Sequence, residues 1–176
     1  DPFSDIQVLS PMHRGILGVA NLNTELQALL NSSKNTLTRG SQRLSEGDKV
    51  MQIRNNYELG VFNGDIGRIV GIDSENKALD VDFDDNRIRY DSDSLDELIL
   101  AYACSIHKAQ GNEYPAVVIV LHTQHYIMLQ RNLLYTAITR GKSLVAVVGN
   151  TKAVAIATAN LTKGQRYSML TKRIMQ

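Results

Sequence analysis

Continuous apolar runs stand at both ends of the chain, and a stretch of short alternating segments lies between them. "IQVLS", residues 6–10, reads as a buried strand ended by Pro11 and Gly15. A helix is predicted over "NTELQALLN", where Leu22, Leu26, Leu29 and Leu30 fall at helical spacing and Asn23 or Thr24 can cap the start. "SSKNTLTRGSQ" is polar and reads as a connector. From Glu46 the texture changes to "DKVMQI", "DIGRIVGI", "ALDVDF" and "RIRY", with turn signals at Asn63-Gly64 and Asp85-Asn86. Several short strands in so few residues predict a small β-barrel, because an open sheet would leave its edges unpaired.

After Leu100 the pattern reverts. "AVVIVL" and "SLVAVVG" are continuous apolar runs, as expected of strands covered on both faces, and "RNLLYTAITR" between them has helical spacing. Neither flank holds enough strands to stand alone. The expected architecture is therefore one α/β domain with a parallel sheet, contributed by residues 1–44 and 99–176, interrupted by a barrel at 45–98.

Charge sharpens this division. The 176 residues carry a formal net charge of +1, but residues 45–100 hold 14 acids and 6 bases, leaving 4 acids and 13 bases for the flanks. A basic α/β layer facing a polyanion and a merely solvated basic face both fit such a separation. No apolar run reaches the ~18 residues of a membrane span, and "DPFSDIQVLSPMHRG" lacks the regions of a signal peptide. The single cysteine, Cys104, allows no internal disulfide. A cytoplasmic protein with no membrane partner is expected.

Candidate chemistry gathers in two stretches. In "SIHKAQGNEYP", Ser105, His107, Lys108 and Gln110 can donate hydrogen bonds, Gly111 lets a backbone amide approach a phosphate, and Glu113 can accept from ribose hydroxyls. In "RNLLYTAITRGKS", Leu133, Leu134, Ala137 and Ile138 form an apolar face, and Arg140 comes at the helix end. There it could reach a phosphate bound elsewhere, or simply complement the helix C-terminus.

Together, "HKAQGNEYPAVVIVL" and "LLYTAITRGKSLVAVVG" resemble motifs V and VI of superfamily-one DNA helicases of the RecD type, the family that includes the alpha subunit of exodeoxyribonuclease V. "VLSPMHRGILGVANLNTELQ" and "GDKVMQIRNNYELGVFNGDIGRIVGI" look like two further stretches of that family, the second being its inserted SH3-like barrel. The resemblance implies a second RecA-like domain and the C-terminal portion of a longer ATP-dependent helicase. It implies that Arg140 is an arginine finger reaching the γ-phosphate of ATP on a neighbouring RecA-like domain. Gly111, Glu113 and Gln110 would serve the nucleotide, with Thr139 and Tyr135 positioning the finger. Ser105, His107 and Lys108, joined by His13 and Arg14, would contact single-stranded DNA. ATP with Mg2+ would be held mainly by the N-terminal RecA-like domain of the same parent chain. Further exonuclease subunits are possible partners.

The chain departs from the family in having neither P-loop nor Walker B acid. "GKS" at 141–143 is a decoy, since Thr136 stands where G-x-x-x-x-G-K-[ST] needs glycine. The chain by itself is expected not to hydrolyse ATP. Cys104-x2-His107 and His122-x2-His125 make a zinc-like spacing, but an apolar run separates the pairs and no metal is expected. In the barrel, Tyr57, Phe62 and Tyr90 could stack on bases or fill its core, and Lys49, Arg54 and Arg68 are the better candidates for DNA contact. Two rival readings remain: a nucleic-acid- or protein-binding module without motor function, and the helicase part of a conjugative relaxase.

Overall fold

The computed structural model describes residues 2–40, 42–160 and 174. In chain order the elements are α1 (Pro2–Asp5), β1 (Ile6–Ser10), α2 (Val19–Leu30), β2 (Thr36–Arg39), β3 (Gln42–Ser45), β4 (Lys49–Gln52), β5 (Ile66–Asp73), β6 (Ala78–Phe83), β7 (Asn86–Tyr90), β8 (Leu98–Leu100), β9 (Ala103–Ser105), β10 (Tyr114–Leu121), α3 (Arg131–Ile138), β11 (Gly141–Gly149) and α4 (Thr151–Ala159). Strands β11, β10, β1 and β9 form an all-parallel sheet in that order. Strands β7, β6, β5, β4 and β8 form an antiparallel sheet, and β2 pairs with β3. The chain therefore leaves the parallel sheet after β1 and α2, builds the antiparallel unit, and returns through β9.

Four local expectations fail. Helix α2 starts at Val19 with Gly18 as N-cap, so Asn23 and Thr24 lie inside it. Asn23 is buried and spends its amide on β9, donating from Nδ2 to the Ala103 carbonyl and accepting the Ala103 N–H, both at 2.8 Å. Leu29 and Leu30 of the expected apolar stripe are exposed. The polar connector holds the β2–β3 hairpin, because Leu44 and Leu37 give it an apolar side that joins the barrel cluster. Strand β11 is an edge strand of the described sheet, with Leu144 and Val148 60% and 56% exposed, so it is not covered on both faces.

Two apolar clusters divide the interior. One joins Val50, Val61, Ile69, Leu79, Val81 and Tyr90 inside the barrel. The other joins Leu9, Val117, Ile119 and Leu121 of the parallel sheet to Leu133, Leu134 and Ala137 of α3 and to Ala153 and Ala157 of α4. Met51 of β4 belongs to this second cluster, with Ile66 and Ile99 packed against it. Hence β4 is buried on both sides: Val50 faces one core and Met51 the other.

Polar groups fix the same junction. Asp48 is wholly buried, and its carboxylate accepts from Asn31 Nδ2 (2.6 Å), Tyr102 Oη (3.0 Å), Gln27 Nε2 (2.5 Å) and the Ser45 N–H (2.7 Å). Four donors from α2, its C-terminal cap, β3 and the β8–β9 link take the place of a counter-ion. Lys49 is also buried, its Nζ donating to the Ile6 carbonyl at 3.1 Å and lying 5.9 Å from the centre of the Phe3 ring. Burial pulls its ammonium from the ordinary 10.5 down to about 8. Lys49 is thus a junction residue and not a surface contact for DNA. Arg68, the second of the three basic candidates, stacks on the Phe3 ring at 4.7 Å, while Arg54 is exposed and 3.5 Å from Asp96. Tyr90 is a core residue whose hydroxyl donates to Gln52 Oε1, which removes it from any stacking surface; Tyr57 and Phe62 are exposed and meet edge to face.

Candidate functional site

The loop from Ser105 to Glu113 connects two parallel strands, so it must return along the length of the sheet. Ser10 pairs with Ser105 and its neighbour Leu9 with Ile119, which puts the loop's start level with the carboxyl end of β10. The loop ends at Tyr114, the first residue of β10, about 20 Å back along the strand at 3.3 Å per residue. One loop therefore reaches both edges of the sheet. Its first turn is held by Ser105, whose Oγ accepts the Lys108 N–H at 3.2 Å, and by Ile106 and Ala109, both fully buried.

At the carboxyl edge, His107 and Lys108 are exposed and Ser105 is half-buried. His13 and Arg14, also exposed, leave the same edge after β1, the strand next to β9. These five residues form one polar margin, as parallel sheets present at their carboxyl ends. Gln110, expected with the nucleotide group, lines a cavity of about 410 Å³ together with His107, Lys108, Asn112 and the barrel residues Ile53, Asn63 and Gly64.

At the amino edge lie Gly111, Glu113 and Arg140. Gly111 has φ +93° with nothing within 4 Å of the place a Cβ would occupy, so the loop needs glycine for its conformation and leaves open space beside it. Glu113 and Lys142 are both exposed and 3.8 Å apart, tying the end of this loop to the start of β11. With Gly111 and Asn112 they border a cleft of about 860 Å³ against the barrel, whose wall includes Asp65, Asp82 and Arg68.

Arg140 follows α3 and is half-buried. Its Nε–H donates to the Thr136 carbonyl (3.2 Å), Nη1 to the Asn112 carbonyl (3.1 Å) and Nη2 to Thr139 Oγ1 (3.2 Å). Thr139 in turn donates to the Thr136 carbonyl at 3.0 Å. A guanidinium has five N–H donors, so two remain beyond these three bonds. Those two donors can meet a further anion. Tyr135 is 68% exposed, and only its backbone carbonyl, which accepts the Thr139 N–H, supports this corner.

The zinc-like residues do not converge. Cys104 is buried in β9, where burial pushes its thiol up to about 12, and His107 is exposed. His122 and His125 cap the turn after β10, with His125 Nδ1 accepting the His122 N–H and His122 Nδ1 accepting the Gln124 N–H. Burial lowers the pKa of His125. Among the described residues no group of three His, Cys, Asp or Glu side chains could hold a metal ion. Reasoning from sequence passes over Asn112, Lys142 and Thr136. Asn112 and Lys142 sit beside residues of greater chemical promise, and only the distances single them out.

Comparison with known proteins agrees with this anatomy. Residues 22–83 match the family model for the ATP-dependent RecD-like DNA helicase SH3 domain, and residues 100–148 that for the UvrD-like helicase C-terminal domain. The chain is 38% identical to the ATP-dependent RecD2 DNA helicase of Deinococcus radiodurans over 94% of its own length and 23% of that protein. It is 29% identical to the RecBCD enzyme subunit RecD of Haemophilus influenzae, over 93% of its own length and 24% of the relative. It thus spans about a quarter of these relatives. In fold it is similar to the Pif1 helicase from Bacteroides solved with ADP-AlF3 and ssDNA (TM-score 0.62, 17% identity, 96% of this chain and 44% of that one) and to Pif1 from Candida albicans (TM-score 0.57, 15% identity, 88% and 47%). With a RecA-like parallel sheet, an inserted SH3-like barrel, and sequence matches across both, the chain belongs to the RecD-like family of superfamily-one DNA helicases.

Proposed function

We propose that the chain supplies the second RecA-like domain of an ATP-dependent DNA helicase, whose other RecA-like domain holds ATP and Mg2+. Arg140 is the arginine finger, and Gly111 and Glu113 border the nucleotide from the same edge. Ser105, His107, Lys108, His13 and Arg14 grip single-stranded DNA at the opposite edge. The observation that carries this reading is the seating of Arg140: three hydrogen bonds fix its direction while two N–H donors stay available to a phosphate. ATP supplies the transferable phosphoryl group and its developing charge. The chain's own part is to aim this cation at it and to link that edge to the DNA edge through the 105–113 loop. Closure of the two RecA-like domains then alternates the grip on the strand, which gives stepwise translocation.

The Haemophilus relative is named as a subunit of the RecBCD enzyme, which supports exonuclease subunits as partners of the parent protein. Among the described residues no helix is long and apolar enough to cross a membrane, and a cytoplasmic site of action fits the reading. Arg140→Ala in the intact parent is expected to lower ATP turnover by about 10³-fold or more while nucleotide binding changes little. Single-turnover hydrolysis and nucleotide titration check this, and near-normal turnover would reduce Arg140 to a helix-end cation.

A further inference from the structure

Asn112 lies between two residues expected to meet nucleotide and faces in two directions. Its backbone carbonyl accepts from Arg140 Nη1 at 3.1 Å. Its side-chain Nδ2 donates to the Gly64 carbonyl, in the barrel, at 3.2 Å. Its own N–H is held by the Ala109 carbonyl, also at 3.2 Å, so the residue is tied on three sides. Gly64 stands at φ +104°, a conformation that other residues rarely adopt, while its N–H is bonded to the Gln52 carbonyl at the end of β4. A continuous line of polar contacts therefore runs from Arg140 through Asn112 and Gly64 to β4. It skirts the 410 Å³ cavity, which Asn112 and Gly64 both line together with His107 and Lys108.

We infer that Asn112 is a positioning residue that couples the seat of Arg140 to the seat of the barrel. The inference rests on the reading of Arg140 as the finger, but its geometry does not. When Arg140 keeps its bond to the Asn112 carbonyl, the loop presents Nδ2 to Gly64. When the guanidinium is drawn toward a phosphate, that bond is what must lengthen, and the loop that carries Nδ2 is released with it. The barrel then loses a tie beside the cavity. Nucleotide state at the Arg140 edge is thereby transmitted to the cavity that His107 and Lys108 line. Two packings of a loop related by one or two hydrogen bonds are the kind of element that such coupling needs.

The test uses this chain without nucleotide, so it is independent of whether Arg140 acts in hydrolysis. Donor and acceptor dyes are placed at Ser74→Cys, in the exposed β5–β6 turn, and Lys152→Cys, on α4. Cys104, buried and with its thiol pushed up to about 12, does not compete for labelling. Asn112→Ala is expected to shift the distance distribution toward a displaced barrel, lowering the ratio of seated to unseated molecules roughly 2- to 10-fold, the weight of one neutral hydrogen bond. Arg140→Ala, whose three lost bonds all lie outside the barrel, is expected to shift the distribution in the same direction when Asn112 is present and to add nothing to Asn112→Ala. Circular dichroism confirms that each variant is folded, and Gly64→Ala, which perturbs the acceptor, serves as a second route to the same displacement. A distribution unmoved by Arg140→Ala, or effects of the two substitutions that simply add, would overturn the coupling. Loss of the hydrolytic role of Arg140 in the parent, with the distance coupling intact, would instead count against the finger alone.

Discussion

Asp48→Asn probes the junction on which the barrel rests, with almost no change of shape. Asn keeps one carbonyl oxygen and replaces the other with an NH2 group. The Ser45 backbone donor cannot turn, so the oxygen is best kept at the Oδ2 position, where it also retains Gln27. The new NH2 then faces Tyr102 and Asn31. The Tyr102 hydroxyl can rotate and accept. Asn31 cannot flip freely, because its Nδ2 also donates to the Glu46 carbonyl and its Oδ1 accepts the Ser33 N–H, each at 3.0 Å. Two N–H donors, one on each amide, are therefore left without an acceptor, and the remaining bonds fall from charge-assisted to neutral. At about 1.5–3 kcal/mol for a bond to a charged group against about 0.5–1.5 for a neutral one, the loss exceeds about 3 kcal/mol before relief of the buried charge is counted. That relief offsets part of it, leaving a net destabilisation of about 2–3 kcal/mol. The chain has no tryptophan, so urea unfolding is followed by circular dichroism, with Tyr102→Phe as a comparison expected to cost only about 1 kcal/mol. An Asp48→Asn protein as stable as the unsubstituted chain would refute the account. It would mean that desolvation of the carboxylate cancels its four hydrogen bonds.

Lys49→Met tests the buried ammonium through pH. With the folded pKa near 8 against an ordinary 10.5, the unfolded chain holds the extra proton between these values, so stability from this residue rises with pH across that window. Each pH unit is worth about 1.4 kcal/mol, so the stability of the natural chain relative to Lys49→Met should climb by about 3 kcal/mol from pH 8 to 10.5, measured by denaturant titration at each pH; a constant difference would contradict the burial. Lys108→Ala in the parent should weaken single-stranded DNA binding and reduce the slope of log K against log salt by about 0.7, the value for one phosphate contact on a single strand. Fluorescence anisotropy over a salt series checks this, and an unchanged slope would remove Lys108 from the DNA margin.

The strands whose burial follows their own periodicity were legible in the sequence. Runs such as "IQVLS" and "AVVIVL" announce their depth in the sheet without reference to anything distant. The β2–β3 hairpin was not, since Leu37 and Leu44 are its only large apolar residues and they find their partners in strands far along the chain. Asn23 and Lys49 failed for a related reason. Their types suit a helix cap and a surface, but a backbone 80 residues away claims the first and a carbonyl of β1 the second. Around the site, the sequence singles out Arg140 and the 105–113 loop by type and spacing. The two-edged reach of that loop comes from strand register, and the part played by Asn112 comes from contacts of its backbone as well as its side chain. No residue type encodes either.

The double burial of β4 has a consequence for engineering. An insertion joined to its host only through its two ends could be exchanged among relatives like a cassette, provided the ends matched. Here Met51 looks out of the barrel into the host's own interior, with Ile66 and Ile99 packed against the same cluster. A transplanted barrel must therefore bring a host-facing surface shaped for the new sheet, or the sheet must be redesigned to receive it. Successful chimeras should be those in which the outward residues of β4, β5 and β8 are kept from the recipient while the inward ones come from the donor, so that the graft follows the side-chain alternation of the strands and not the ends of the inserted segment.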